Sequence, residues 1–92
     1  MAIEVRIPTI LRTYTAGAKS VEGSGGTLDE LFADLDQRHD GLRARLVDES
    51  GLRRFVNVYL NDEDVRFIGG LSAEVHDGDT ITVLPAVAGG AG

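Results

Sequence analysis

Leu28, Leu31, Phe32 and Leu35 recur at three- and four-residue spacing, which sets them on one apolar stripe of an α-helix and leaves Asp29, Asp34 and Asp36 facing water. Thr27 and Glu30 form a capping box at its start, in which each side chain can satisfy an orphan amide. Asp29 and Glu30 also complement the positive end of the helix dipole, and Gly41 after Asp40 is a left-handed stop. A single helix of this kind must lie against an apolar surface, and the rest of the chain offers one made mainly of strands.

Ile3, Val5 and Ile7 alternate with Glu4 and Arg6, the period-two pattern of a strand buried on one face. Pro8, with no amide proton, falls at or past the paired region, and 9–11 extend the strand. Residues 13–17 are turn-like and 18–22 return as a second strand. After the helix, 42–52 carry apolar residues at 42, 46 and 47 among charges, consistent with a second short helix or an ordered loop. Residues 55–60 are a strong strand ending at Asn61-Asp62-Glu63-Asp64, a turn or hairpin tip. A short strand at 65–68 is closed by Gly69-Gly70. Asp77-Gly78-Asp79 turns into the last strand, 80–84, and Pro85 blocks further central pairing. The order strand, strand, helix, strand, short strand, strand predicts an α+β fold, a mixed sheet packed against one main helix.

The chain has 92 residues, enough for one domain that buries only roughly 60 to 65% of its unfolded surface. An enclosed cofactor pocket would consume much of that core, so no bound cofactor is expected and a surface-acting partner is favoured over a self-contained enzyme. Fifteen acidic residues against nine basic ones give a net charge of −6, and the longest basic cluster is Arg53-Arg54. Nucleic-acid binding, which needs a basic stripe, is not expected. The acidic excess can steer the domain toward a basic partner face, and solubility alone also accounts for it. Without cysteine there is no disulfide, thiolate nucleophile or thiolate metal site. The first residues lack the apolar core of a signal peptide and no run reaches membrane-spanning length, so no membrane partner and a cytoplasmic location are expected.

Other chemical signals fail on their spacing. Gly23-Ser24-Gly25-Gly26-Thr27-Leu28 starts like a dinucleotide fingerprint but has Leu at the third glycine position, and reads as a loop. Asp62-Glu63-Asp64 opens like a calcium loop, yet Arg66, Phe67 and Ala73 occupy positions that a cation would need. His39 and His76 stand in acidic, exposed settings without ligand-spaced partners, and no metal site or catalytic triad can be assigned. Phe55, Tyr59 and Phe67 read as core or sheet-face aromatics, of which exposed members could form a partner-binding patch.

What remains is the tail, 86–92: Ala86-Val87-Ala88-Gly89-Gly90-Ala91-Gly92. Its last four residues are Gly or Ala and add little to a core, so 1–85 read as the domain and 86–92 as a flexible extension. At full extension Gly90 lies about 17 Å beyond Pro85, far enough to thread into a partner's active site, and glycines suit a narrow channel because they lack a Cβ. A plain disordered terminus fits the composition equally well.

The stretch from Val58 to Arg66, then Leu71, then Asp77 to Gly90 resembles the C-terminal half of ubiquitin-like sulfur carriers of the ThiS/MoaD family. That family includes the small subunit of molybdopterin synthase, the thiamin-pathway carrier and the CysO-type carrier of cysteine biosynthesis. Ile7-Pro8-Thr9-Ile10-Leu11-Arg12 and Arg54-Phe55-Val56-Asn57-Val58-Tyr59 resemble the CysO type most. The resemblance spans nearly the whole chain and implies a β-grasp fold.

It also implies a chemistry. A ubiquitin-activating-type adenylyltransferase and sulfurtransferase uses ATP to adenylate the terminal glycine and convert it to a thiocarboxylate, whose sulfur passes to an acceptor. Carried over, Gly90 bears the thiocarboxylate, with Gly89, Ala88 and Val87 as the slender tail. Leu84, Pro85 and Ala86 set it against the partner. A pyridoxal-phosphate (PLP) cysteine synthase is the implied acceptor enzyme. The chain departs from the family by continuing past Gly-Gly. Removal of Ala91-Gly92 by a Mov34/JAMM zinc metalloprotease is the favoured reading; direct use of Gly92 and a cloning remnant are the others. A molybdopterin synthase small subunit, a protein modifier and a plain interaction module remain as alternatives.

Overall fold

The computed structural model describes residues 2–85. The N-terminal alternation becomes β1 (Ile3–Arg6), with Ile3 and Val5 buried and Glu4 and Arg6 exposed. β1 pairs antiparallel with β2 (Ser20–Gly23). The helix α1 (Leu28–Arg38) buries all four stripe residues. A second helix, α2 (Leu42–Leu46), leads into a small hairpin of β3 (Val47–Asp48) and β4 (Gly51–Leu52). The remaining strands are β5 (Val56–Leu60), β6 (Glu63–Asp64) and β7 (Thr80–Pro85). The main sheet runs β2-β1-β7-β5-β6, with β1 and β7 parallel and every other pair antiparallel. This is the expected β-grasp arrangement: α1 packs on one face, joining its stripe to Ile3, Val5, Val58, Ile81 and Val83 in one core.

The capping box forms in a shifted version. The Thr27 hydroxyl accepts from the Glu30 amide at 3.2 Å, while the Glu30 carboxylate accepts from the Gly26 amide, one residue further back, at 2.8 Å. The three aspartates expected in water are half-buried and bonded. Asp29 pairs with Arg43 at 2.8 Å, Asp34 accepts from the Ser24 amide and pairs with Arg38, and Asp36 accepts from the amides of Gly41 and Arg43. Short helices leave amides unpaired at their ends, and Asp36 takes up two of these at the start of α2.

Several expectations are corrected. Residues 9–11 do not extend β1: Thr9–Thr15 wind into a 3-10 helix. Pro8 removes a ladder donor, its carbonyl accepts from the Leu11 amide, and the Arg12 Nε donates to the Ile7 carbonyl at 3.1 Å, all of which favour the coil over the β-branched run's strand propensity. The strand expected at 65–68 is a 3-10 turn, Val65–Phe67. Asn61 and Asp62 both adopt positive φ, which makes a two-residue hairpin turn and starts the return strand at Glu63. The Asp64 carboxylate then accepts from the Arg66 amide and bends the chain. Residues 42–52 hold both a short helix and a hairpin. Phe55 lies outside β5, and Phe55 and Phe67 are exposed while Tyr59 is half-buried, so the core's aromatic residue is Phe32.

The glycine run at 23–26 serves packing. A Cβ on Gly25 would sit 2.7 Å from the Leu31 backbone nitrogen, and one on Gly23 would meet Leu31 and Leu35 below 3 Å. Gly25→Ala is therefore expected to push α1 off its seat and lower stability by about 1–3 kcal/mol, read from urea denaturation; an unchanged midpoint contradicts this packing role. A second expectation concerns acid. The Asn61 side-chain amide, then the His76 backbone amide, hold the Asp79 carboxyl below its ordinary value of 3.8. A depressed folded pKa gives stability that is present above the unfolded value and lost as pH falls through the folded one. Asn61→Ala should raise the Asp79 carboxyl pKa toward the ordinary value in an NMR titration and soften the loss of stability below it.

Candidate functional site

The described chain ends on β7, and that strand's last residues build the candidate site. Val83 points into the core, while Leu84 turns to the outer face and Pro85 is exposed. On one side β7 stays paired to its end, with Asn57 opposite Leu84 and Val56 opposite Pro85. On the other, β1 pairs only as far as Arg6 opposite Thr82, because the Ile7 amide bonds to the Lys19 carbonyl and Pro8 leads the chain away. Residues 83–85 are thus held along one edge and open along the other.

Two clefts flank this end and share Ile10, Val83, Leu84 and Pro85. One, of about 370 Å³, is walled by Leu11, Phe55 and Val56 with Arg45, Arg53 and Arg54. The other, of about 530 Å³, is walled by Pro8 and Thr82 with Arg6, Arg12 and Lys19. Their walls are fixed from behind. The Arg66 guanidinium donates to the carbonyls of Arg53 and Val56 at 2.9 and 2.6 Å and to the Asn57 side chain at 3.1 Å, tying the approach to β5. The Arg53 Nε donates to the Ala44 carbonyl at 2.8 Å. Ile10, Phe55 and Leu84 are 67, 58 and 45% exposed around the exit, an apolar centre that a monomer has no reason to leave bare.

The described residues include both histidines and all fifteen acidic residues. Among them no group of acidic residues and histidines could bind a metal ion, and no buried side-chain polar atom lacks a partner. His76 is exposed, with its Nδ1 3.9 Å from Asp79, and His39 is a helix cap. No described helix is long and apolar enough to cross a membrane. Of the residues expected at the site, Leu84 and Pro85 stand at the exit between the clefts. Ala86, Val87, Ala88, Gly89, Gly90 and Gly92 lie outside the described residues. Sequence reasoning missed Ile10, assigned to a strand, and the cations that surround the exit, which come from five separate segments. The adjacent Arg53-Arg54-Phe55 was the one local sign of such a surface.

The chain matches the ThiS family over residues 5–90. It is 55% identical to the sulfur carrier protein CysO of Mycobacterium tuberculosis, across 98% of this chain and all of that one. It is 31% identical to small archaeal modifier protein 3 of Haloferax volcanii, with the same coverage. Among solved structures, CysO of Amycolatopsis orientalis in complex with BexX superposes with a TM-score of 0.91 at 64% identity, over 95% of this chain and 98% of that one. The relative at 55% identity is named a sulfur carrier protein. The chain belongs to the ThiS family, and like its relatives it is a small ubiquitin-like carrier rather than an enzyme.

Proposed function

We propose that this protein carries sulfur on its C-terminal glycine and supplies it for cysteine biosynthesis. The observation that carries the reading is the placement of β7: the last described strand lies inside the sheet, and its Pro85 stands between two clefts. Pro85 itself is held to Val56 of β5 along one edge, which fixes the root from which the reactive segment starts. The domain is 1–85 and the reactive extension 86–92. Leu84, Pro85 and Ala86 seat the partner at the root, and Val87, Ala88 and Gly89 run to Gly90. The family match stops at residue 90, which supports Gly90 as the reactive end and Ala91-Gly92 as a segment removed first, by a Mov34/JAMM metalloprotease.

The chemistry belongs to the partners. An adenylating enzyme brings the Gly90 carboxylate to ATP; a carboxylate oxygen attacks the α-phosphorus and pyrophosphate leaves. Sulfide then adds at the acyl carbon and AMP departs, which leaves a thiocarboxylate. Its sulfur is handed to an acceptor on a PLP-dependent cysteine synthase, in the cytoplasm. The carrier itself needs no bound cofactor. Sulfide in place of a carboxylate oxygen gives a softer, stronger nucleophile at the same position, so one slender end serves both the activating and the accepting enzyme.

Incubation of the chain with its adenylating enzyme, the protease, ATP and sulfide is expected to yield a species ending at Gly90 whose intact mass shows one oxygen replaced by sulfur. Truncation after Val87 should abolish that product and leave the thermal midpoint unchanged. A full-length chain that never acquires sulfur with an active enzyme preparation defeats the proposal.

The 31% identity to an archaeal modifier favours a second reading, attachment of the same glycine to lysines of other proteins. Lys19 is the chain's one lysine, so self-linked polymers would join through it or through the N-terminus. Under this reading, peptide mass spectrometry of cells expressing the chain finds branched peptides in which lysines of other proteins carry its C-terminal segment, residues 67–90 after trypsin because Arg66 is the last basic residue. Under sulfur carriage alone it finds none.

A further inference from the structure

The acidic character of this protein is not spread evenly. Arg6, Arg12, Lys19, Arg45, Arg53 and Arg54 line the two clefts at the end of β7, against two acidic residues, Glu4 and Asp48. Six of the nine basic side chains of the whole chain therefore meet two of its fifteen acidic ones there. A molecule of net charge −6 carries a collar of +4 where its last strand leaves the sheet, and −10 over everything else. Glu4 is tied to Arg6 at 3.7 Å. Lys19, Arg45 and Arg54 have no ion-pair partner among the described residues. Arg12 and Arg53 spend only Nε on backbone carbonyls, which leaves their remaining N–H groups for a planar acceptor such as a carboxylate.

The collar has an apolar centre. Three of the four large hydrophobic residues exposed on the described surface, Ile10, Phe55 and Leu84, lie inside it. An apolar centre inside a charged rim is the anatomy of a protein interface. A nucleic acid fits less well, because a long polyanion would run off the collar onto the strongly acidic remainder.

We propose that this collar is the docking face for the enzyme that activates the tail, and that the enzyme meets it with a ring of carboxylates around an apolar seat for Ile10 and Leu84. The inference rests on the functional reading above and adds the sign of the contact. The charge imbalance makes the molecule a dipole with its positive end at the tail's root, so an acidic mouth draws that end in and repels the other. The bulk charge alone would have assigned the opposite sign to the partner's surface.

The test measures ATP–pyrophosphate exchange by the adenylating enzyme as a function of carrier concentration, from about 0.05 to about 0.5 M salt. Three chains, each ending at Gly90 after removal of Ala91-Gly92, are compared: the otherwise wild-type chain, Lys19→Gln/Arg54→Gln, and a control, Ala33→Glu/Gln37→Glu, which alters net charge equally on exposed positions of α1. Neutralising the collar should raise KM by about tenfold at low salt, flatten its salt dependence and leave kcat unchanged, whereas the control moves KM less than about twofold. Thermal midpoints confirm that all three fold. If wild-type chain is activated normally and the collar variant matches the control, the docking proposal is overturned while sulfur carriage stands. If wild-type chain supports no exchange, the functional reading fails and takes the proposal with it. Binding of a single-stranded oligonucleotide that the collar variant loses, with KM unaltered, assigns the collar to nucleic acid and overturns it as well.

Discussion

The parallel pairing of the first and last strands governs this structure. β7 enters between β1 and β5, with Val5 opposite Ile81 on one side and Val58 opposite Val83 on the other, and all four side chains are buried beneath α1. Without β7 the sheet separates into β2-β1 and β5-β6, and α1 has no continuous surface to cover. The fold therefore closes only when its final strand is in place, through contacts between residues more than seventy positions apart, a topology that costs loop entropy before it returns stability. The same constraint fixes where the described chain ends, between the two clefts beside Leu84 and Pro85. A chain whose last strand is central delivers its C-terminus from the middle of a rigid sheet.

The charges divide their labour along the same line. Six carboxylates, those of Glu30, Asp34, Asp36, Asp48, Asp64 and Asp79, accept hydrogen bonds from backbone amides at helix starts and turns. Much of the acidic excess is thus structural, serving a small protein with many short elements and correspondingly many unpaired amides. The basic side chains have fewer such duties. Arg43 and Arg66 brace the frame, but most of the others stand at the exit of β7. Net charge describes the caps more than it describes the surface a partner meets.

The fold was largely readable because its core obeys the two simple periods. The alternation at Ile3, Val5 and Ile7 and the stripe from Leu28 to Leu35 both came out as read, whereas the tip expected over 61–64 narrows to Asn61-Asp62 and the last strand continues through Pro85, which pairs with Val56 instead of blocking the ladder. The failures are at 9–11 and 65–68, where β-branched and aromatic residues suggested strands and local chemistry prevailed: a proline that cannot pair, and an aspartate that bends its own backbone. The site was readable in part. Leu84 and Pro85 could be named because they end a strand, but the collar is assembled from five segments that only the fold brings together, and no local pattern encodes it. The acyl chemistry was never in the periodicity at all; composition made the tail a bare extension, and resemblance alone gave it a role.

Under the proposed function the carrier would serve several partners in turn, and such a molecule cannot bind any of them too tightly. A large apolar interface would slow release, since differences in affinity among related complexes reside mainly in the dissociation rate. A charged rim works differently. It accelerates encounter and orients the approach while adding little to residence, and the small apolar centre at Ile10 and Leu84 is confined to the root of the tail. Under the same proposal the depth of specificity would come from threading a glycine end into a channel, a step available only to a correctly oriented molecule. Steering by the collar and selection by the slender tail are complementary, because each supplies what the other lacks: speed without long residence, and discrimination without bulk.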